Sequence, residues 1–276
     1  AIPDSSSVFG GWSGPCTGRS ACYVTMTQDF SVGANFHPPA EFGWVVTAGG
    51  MGDDTGTSVA VDGTGDVLVA GLFQGTMVLG TSVLTSIGSD DIFLAKFAAD
   101  GTHLWSRQLG GVDIELPFGL AVDPGTGDAV LVGAFTGAVD FGGGALATAG
   151  VGTFDIFVAK YSGLDGSYVW ARAFGGPAAA RGVAVDLAGD IALTGGFEGT
   201  VNFGGGDLTS AGLTDAFVAV LAADGSHLWS SAHGGLGQDA GLAIAVQPAG
   251  AVAVAGRFED QITFGGAAPC NVIGVR

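Results

Sequence analysis

Carboxylates are the side chains in this sequence whose type and spacing could do chemistry. There are 26 acidic residues against 8 basic ones, a net charge of −18. Asp62 and Asp66, Asp123 and Asp128, and Asp186 and Asp190 recur as pairs, each inside a short Gly-containing turn between two apolar runs. Two carboxylates around one loop could offer oxygens to a cation, and calcium is the ion such ligands suit. No EF-hand spacing is present. Asp also accepts hydrogen bonds from nearby backbone N–H groups and tolerates tight turns, so structural turn chemistry is the plainer reading of the same pairs. No cofactor other than calcium is suggested.

Further acids lie in the loops that follow a Gly pair: Asp53, Asp54, Asp113, Glu115 and Asp239. These loops vary most between otherwise similar stretches, and variable loops on a rigid scaffold are where binding usually resides. They are the candidate ligand-binding residues. The remaining reactive types are sparse. His103 and His227 each stand two residues before a Trp, His37 and His233 stand elsewhere, and Ser13 in GWSGP does not make a nucleophile elbow. No Ser/His/Asp or paired-carboxylate constellation stands apart from the repeats, so the chain reads as a non-enzyme.

Internal repetition explains where most of these residues sit. Trp44, Trp105, Trp170 and Trp229 each precede a Gly pair, at 49–50, 110–111, 175–176 and 234–235. After each pair comes an apolar hairpin block: VAVDGTGDVLVAGLF (59–73), LAVDPGTGDAVLVGAF (120–135), VAVDLAGDIALTGGF (183–197) and IAVQPAGAVAVAGRF (244–258). A glycine-rich block follows, as VDFGGGALATAG from Val139 and VNFGGGDLTSAG from Val201. Then come DIFLAKF from Asp91, DIFVAKY from Asp155 and DAFVAVL from Asp215, and an Asp-Gly turn five residues before the next Trp. Lys96 and Lys160 share one repeat position and Arg107 and Arg172 another, as strand-end partners for carboxylates. Both alternating faces of DIFLAKF are apolar, which predicts sheets covered on two sides. Sequentially stacked blades provide that cover.

The expected fold is therefore all-β: a β-propeller of four-stranded blades at 41–276, with a small β module at 1–40. Units fall at about 51–111, 112–176, 177–235 and 236–276, three complete and one partial. Either the chain is a fragment of a larger ring, the favoured reading, or the Trp44 strand closes a four-bladed one. Gln247 and Ala251 depart from the repeat in the last unit. Cys16 and Cys22 fit a local disulfide in a secreted protein or a pair of free thiols, and Cys270 stands alone.

At these residues the chain resembles a known family. The blocks GGMGDDTGTSVAVDGTGDVLVAGLF, VNFGGGDLTSAG and TDAFVAVLAADGSHLW are similar to the bacterial β-propeller repeats called SBBP repeats, over about residues 41–265. The first forty residues, with GWSG, the Cys pair and VTMTQDFSVGANF, resemble divergent internalin B-repeat modules. The resemblance implies a secreted or cell-surface bacterial protein. The expected function is a non-catalytic module for adhesion, display or protein interaction. The alternative is a glycan-binding or glycan-processing propeller, assisted by calcium. Its acidity makes nucleic acid a poor partner, and no apolar run is long enough to span a membrane.

Overall fold

The computed structural model describes residues 8–13, 33–37, 43–247, 250–259 and 270–275. The chain divides into two compact units, Ala1–Val45 and Val46–Arg276. In the first, β1 (Val8–Ser13) pairs antiparallel with β2 (Gly33–His37), with a register shift between Phe9 and Gly11. Cys16 and Cys22 lie outside the described residues.

The second unit is built wholly of strands and turns among the described residues. In chain order these are β3 (Gly49–Gly50), β4 (Thr55–Val61), β5 (Val67–Phe73), β6 (Thr76–Leu79), β7 (Ser82–Thr85), β8 (Asp91–Phe97) and β9 (His103–Gly111). The next repeat gives β10 (Glu115–Val122), β11 (Ala129–Phe135), β12 (Ala138–Asp140), β13 (Ala145–Ala147), β14 (Asp155–Tyr161) and β15 (Tyr168–Phe174). Then follow β16 (Ala178–Val185), β17 (Ile191–Asn202), β18 (Asp207–Leu221) and β19 (His227–His233). The last are β20 (Ala240–Val246), β21 (Val252–Arg257) and β22 (Cys270–Val275).

Two sheets are plain antiparallel meanders, β10-β11-β14-β15 and β16-β17-β18-β19. The sheet before them has the same meander core, β4-β5-β8-β9, continued on its outer edge by β12 and β13. That edge is the one place where the sequence blocks mislead. The glycine-rich hairpin of the second repeat hydrogen-bonds to the end of the first repeat's Trp strand, with Val139 opposite Gly111. Likewise β6 pairs with β3, the Gly pair that follows Trp44, and β7 with β6. The Gly pair matters because the hairpin backbone crosses it closely. A Cβ on Gly50 would lie 1.8 Å from the Thr76 carbonyl oxygen.

Each repeat's first strand carries a bulge at an equivalent place: Gly56/Ser58, Pro117/Gly119, Ala180/Gly182 and Gly241/Ala243. A bulge on an edge strand accommodates Pro117, which has no N–H for a ladder. First strands of successive sheets are neighbours: β10 lies against β4 and β16, and β16 against β20. The fourth sheet departs from the pattern. Its β22 runs parallel to β21, Val252 opposite Cys270, where the other sheets have an antiparallel strand.

The apolar residues on both faces of the central strands are buried as their pattern requires. Every residue of β8, β11 and β14 is buried. Leu68, Ala70, Ile92 and Leu94 of the first sheet share a core cluster with Leu120, Leu131 and Phe157 of the second. Val130, Val132 and Val158 of the second sheet share another with Leu193, Phe197 and Phe217 of the third. Fully burying one such side chain is worth about 1.5–3 kcal/mol, so these junctions hold the repeats together.

Candidate functional site

The turn carboxylates are brought together with lysines. In the first repeat the Lys96 ammonium lies 2.8 Å from Asp62 Oδ2 and 3.3 Å from Asp66 Oδ2. In the second, Lys160 lies 2.7 Å from Asp123 Oδ2 and 3.5 Å from Asp128 Oδ2. The other oxygen of each leading Asp folds the turn. Asp62 Oδ1 accepts from the N–H groups of Thr64 and Asp66, and Asp123 Oδ1 from those of Gly125 and Thr126. Burial opposes ionisation of Asp62 and Asp123, but the facing ammonium and the turn donors outweigh it and hold both carboxyls below the usual range. Lys96 also donates to the Gly163 carbonyl of the next repeat, at 2.9 Å.

The third repeat keeps the acids and loses the cation. Asp186 Oδ1 accepts from Ala188 and Asp190 N–H, and Val220 stands where the others have lysine. Burial, and then the neighbouring Asp186 charge, push the Asp190 carboxyl up. Among the described residues no group of three or more His, Cys, Asp or Glu is placed to hold a metal ion.

The five loop acids separate into two kinds. Asp54, Glu115 and Asp239 each lie four residues after the second Gly of the pair and accept its backbone N–H: Gly50 to Asp54 at 2.8 Å, Gly111 to Glu115 at 3.2 Å, and Gly235 to Asp239 at 2.8 Å. Glu115 and Asp239 are fully buried. Asp53 and Asp113 instead face solvent. Asp53, Asp54 and Gly50 line an open hollow of about 760 Å³ with Thr47 and Val78. The shared spacing was visible in the sequence as a signal for loop caps, in three of the four repeats. A two-residue shortening puts Ala178 at that place in the third.

Glu115 is the most perturbed of these acids. Its Oε1 has no hydrogen-bond partner among the described residues. Burial pushes its carboxyl up to about 7; the Gly111 N–H opposes this, and the charges of Asp91 and Asp113 add to it. Asp91, Asp155 and Asp215 are also buried, and they tie the glycine-rich hairpin to the strand that follows. Asp91 accepts from the N–H groups of Ile87 and Gly88, Asp155 from Ala149, and Asp215 from Ala211. Solvated Asp100, Asp165 and Asp224 have carboxyls held low by the backbone and side chains of the residues two positions on, Thr102, Ser167 and Ser226.

The repeated Trp residues serve the junctions. Trp105 Nε1 donates to Gly163 O at 3.3 Å and Trp170 Nε1 to Ala223 O at 3.0 Å, each in the next repeat. Arg107 adds bonds to the Gly166 and Asp165 carbonyls, and Arg172 one to Asp224 O. The gripped turn must hold glycine. Gly166 has φ of 70°, and a Cβ there would lie 2.6 Å from Trp105 Cε3. The FGGG hairpins have a similar cause. Tyr168 lies over Gly142 and Gly143, and His227 over Gly204 and Gly205, with no room for a Cβ beneath the ring.

A second cleft of about 480 Å³ contains Arg107, Gln108, Asp140 and Tyr168. Its polar groups are already committed. Gln108 donates to Asp91, Asp140 accepts from Gly142 N–H at 2.7 Å, and the Tyr168 hydroxyl accepts from Ala171 N–H at 3.0 Å. Among the described residues, then, the turn and cap acids and the two lysines of the repeats are engaged in turns, caps and ion pairs, while Asp53 and Asp113 face solvent.

The family model of the divergent InlB B-repeat domain matches residues 1–40. No curated protein matches the chain. No helix of the described residues is long and apolar enough to cross a membrane, a statement that bears on helices alone.

Proposed function

We propose that residues 46–276 are successive blades of an SBBP-type β-propeller and that the chain is a non-catalytic module of a secreted or cell-surface bacterial protein, used for adhesion, display or protein interaction. One observation carries this reading: the chemically capable side chains that recur with the repeat are used up inside it. Carboxylates cap loops or bracket lysines, and indoles and guanidiniums grip the next repeat. An enzyme breaks repeat symmetry with convergent groups at one place. Four-stranded meanders buried on both faces, with their first strands side by side, support the propeller. The match of residues 1–40 to the divergent InlB B-repeat domain is in keeping with the surface location that the resemblance implies.

A glycan array probed with the full chain, with and without a calcium chelator, tests the reading. The expected result is no chelator-sensitive glycan signal. Specific glycan binding lost with chelator would replace it with a calcium-assisted lectin, whose ligand would sit at the exposed acids Asp53 and Asp113. Calcium at Asp186 and Asp190, the pair without a lysine, belongs to the same alternative and would show as a calcium-dependent rise in Tm.

A further inference from the structure

The segment from Gly111 to Glu115 passes from the first sheet to the second over a buried carboxyl. Val112, Asp113 and Ile114 are exposed, Val112 by 75%, while Glu115 is fully buried. Ile114 ties the far end of the segment to Thr136: its carbonyl accepts the Thr136 N–H at 2.9 Å, and its N–H donates to Thr136 Oγ1 at 3.2 Å. At the near end the tie is Glu115 itself, whose Oε2 accepts the Gly111 N–H at 3.2 Å. Gly111 is also where β12 crosses β9, with Val139 opposite it. A Cβ on Gly111 would lie 2.8 Å from the Ala138 carbonyl oxygen and 3.5 Å from Glu115 Oε1. The carboxyl and the crossing strand therefore flank one backbone position.

The other repeats fill this place differently. Asp239 is also fully buried, but both of its oxygens have donors, the N–H groups of Gly235 and Glu259. Asp54 is half-buried, and the third repeat has Ala178. In the second repeat Glu115 Oε1 has no partner among the described residues. Among those residues no cation offsets its charge either. Asp91 on β8 and Asp113 in the segment repel it. Strands β4, β5 and β11 carry no titratable side chain. Lys96 of β8 is held by Asp62 and Asp66, Arg107 of β9 by turn carbonyls, and Arg181 of β16 lies over the Phe118 ring. Asp140 of β12 accepts Gly142 N–H, and His103 begins β9, which Gly111 ends. A buried carboxylate with one donor is far costlier than the neutral carboxyl at the same place.

We propose that Glu115 is a proton-operated latch: its neutral carboxyl keeps the Gly111–Glu115 segment closed, and its ionisation opens that segment and parts β12 from the Gly110–Gly111 end of β9. Opening lets water reach the carboxylate and breaks the Gly111 tie. Phe141, buried against Phe135 and Phe157, keeps the β12–β13 hairpin anchored, so the opening is local. The closed form holds the proton more tightly than the open one. Opening is therefore suppressed below pH 4.5 and grows as pH rises to about 7. It bares a short strand edge with free main-chain groups, the kind of edge to which another chain adds. The latch does not depend on the module being an adhesin or a lectin.

Amide hydrogen exchange followed by NMR on the full chain, from about pH 5 to about pH 8 and corrected for intrinsic rates, tests it. At Gly111 and along 138–140, protection is expected to lie below that of β11 at every pH. It should fall about tenfold per pH unit between about 5 and about 7 and level off above. Glu115→Gln keeps the carbonyl that Gly111 needs and should abolish that fall. Equal protection at these amides and at β11 would mean that the segment opens only with the whole sheet, and it overturns the latch. So does a pH trend that persists in Glu115→Gln, or protection in the wild type that stays flat from pH 5 to pH 7.

Discussion

Glu115→Gln should stabilise the protein increasingly as pH rises from 4.5 to about 7, and fully above neutral pH. The native carboxyl is fully buried at the junction of the first two sheets, with one oxygen satisfied by Gly111 N–H and the other without a partner among the described residues. Its pKa rises from 4.5 to about 7. A raised value means that the folded state binds the proton more tightly than the unfolded chain. The contribution to stability is then fully present below pH 4.5 and is lost as pH climbs through about 7. Each pH unit separating the folded from the unfolded value is worth about 1.36 kcal/mol, so ionising Glu115 above pH 8 forfeits about 3 kcal/mol. Glutamine keeps a carbonyl for Gly111 and carries no charge. For a unit of this size that difference corresponds to a Tm rise of roughly 6–12 °C. The assay is thermal unfolding of wild type and variant at half-unit steps from about pH 4 to about pH 8.5. The two curves should converge below pH 4.5, separate steadily between there and about 7, and run parallel above it. Parallel curves across the range would refute the assignment of a buried, proton-holding carboxyl at this junction.

Two further outcomes follow from the junctions and turns. Lys160→Met strands Asp123 and Asp128 without their cation and should cost about 3 kcal/mol or more in urea unfolding at pH 7. The penalty should shrink as pH falls through the lowered Asp123 value and the carboxyl takes up a proton. Conversely, Val220→Lys places an ammonium beside Asp186 and Asp190 and should be more stable than Val220→Gln by about 1 kcal/mol. Gly166→Ala and Gly199→Ala make a matched pair, with φ of 70° and 69°. Alanine at 199 meets nothing within 4 Å and should cost about 1 kcal/mol in backbone strain alone. At 166 it also meets the Trp105 ring, and equilibrium unfolding should show a clearly larger loss.

The all-β class was legible because periodicity is a local property. Apolar runs around Gly-containing turns read as hairpins, and hairpins formed at 59–73, 120–135, 183–197 and 244–258. The pairing of Lys96 and Lys160 with carboxylates was also foreseeable, since charges at fixed repeat positions need partners. What stayed hidden was non-local. Nothing in VDFGGGALATAG says that its strand adds to the previous repeat's sheet, because that choice depends on the backbone approach allowed by Gly111. The parallel β22 falls where the repeat pattern has ended, so no sibling sequence could announce it. Of the candidate ligand acids, Asp54, Glu115 and Asp239 looked like variation between loops. Their constant distance from the Gly pair was the sign of a cap, and it was obscured by the shortened third loop.

The grip of Trp105 and Arg107 on the 163–166 turn, repeated by Trp170 and Arg172 on the 223–224 carbonyls, has an implication for how such chains change length. Each contact joins a side chain to main-chain carbonyls, so it asks of its neighbour only a backbone path with a glycine in it. A copy removed whole, cut and rejoined at the Gly pairs, would bring a donor set against an acceptor turn of the same shape. Copy number could then drift by recombination between alleles without any compensating substitution. Fractional losses, which leave a Trp strand facing the wrong kind of loop, would be the changes that selection removes.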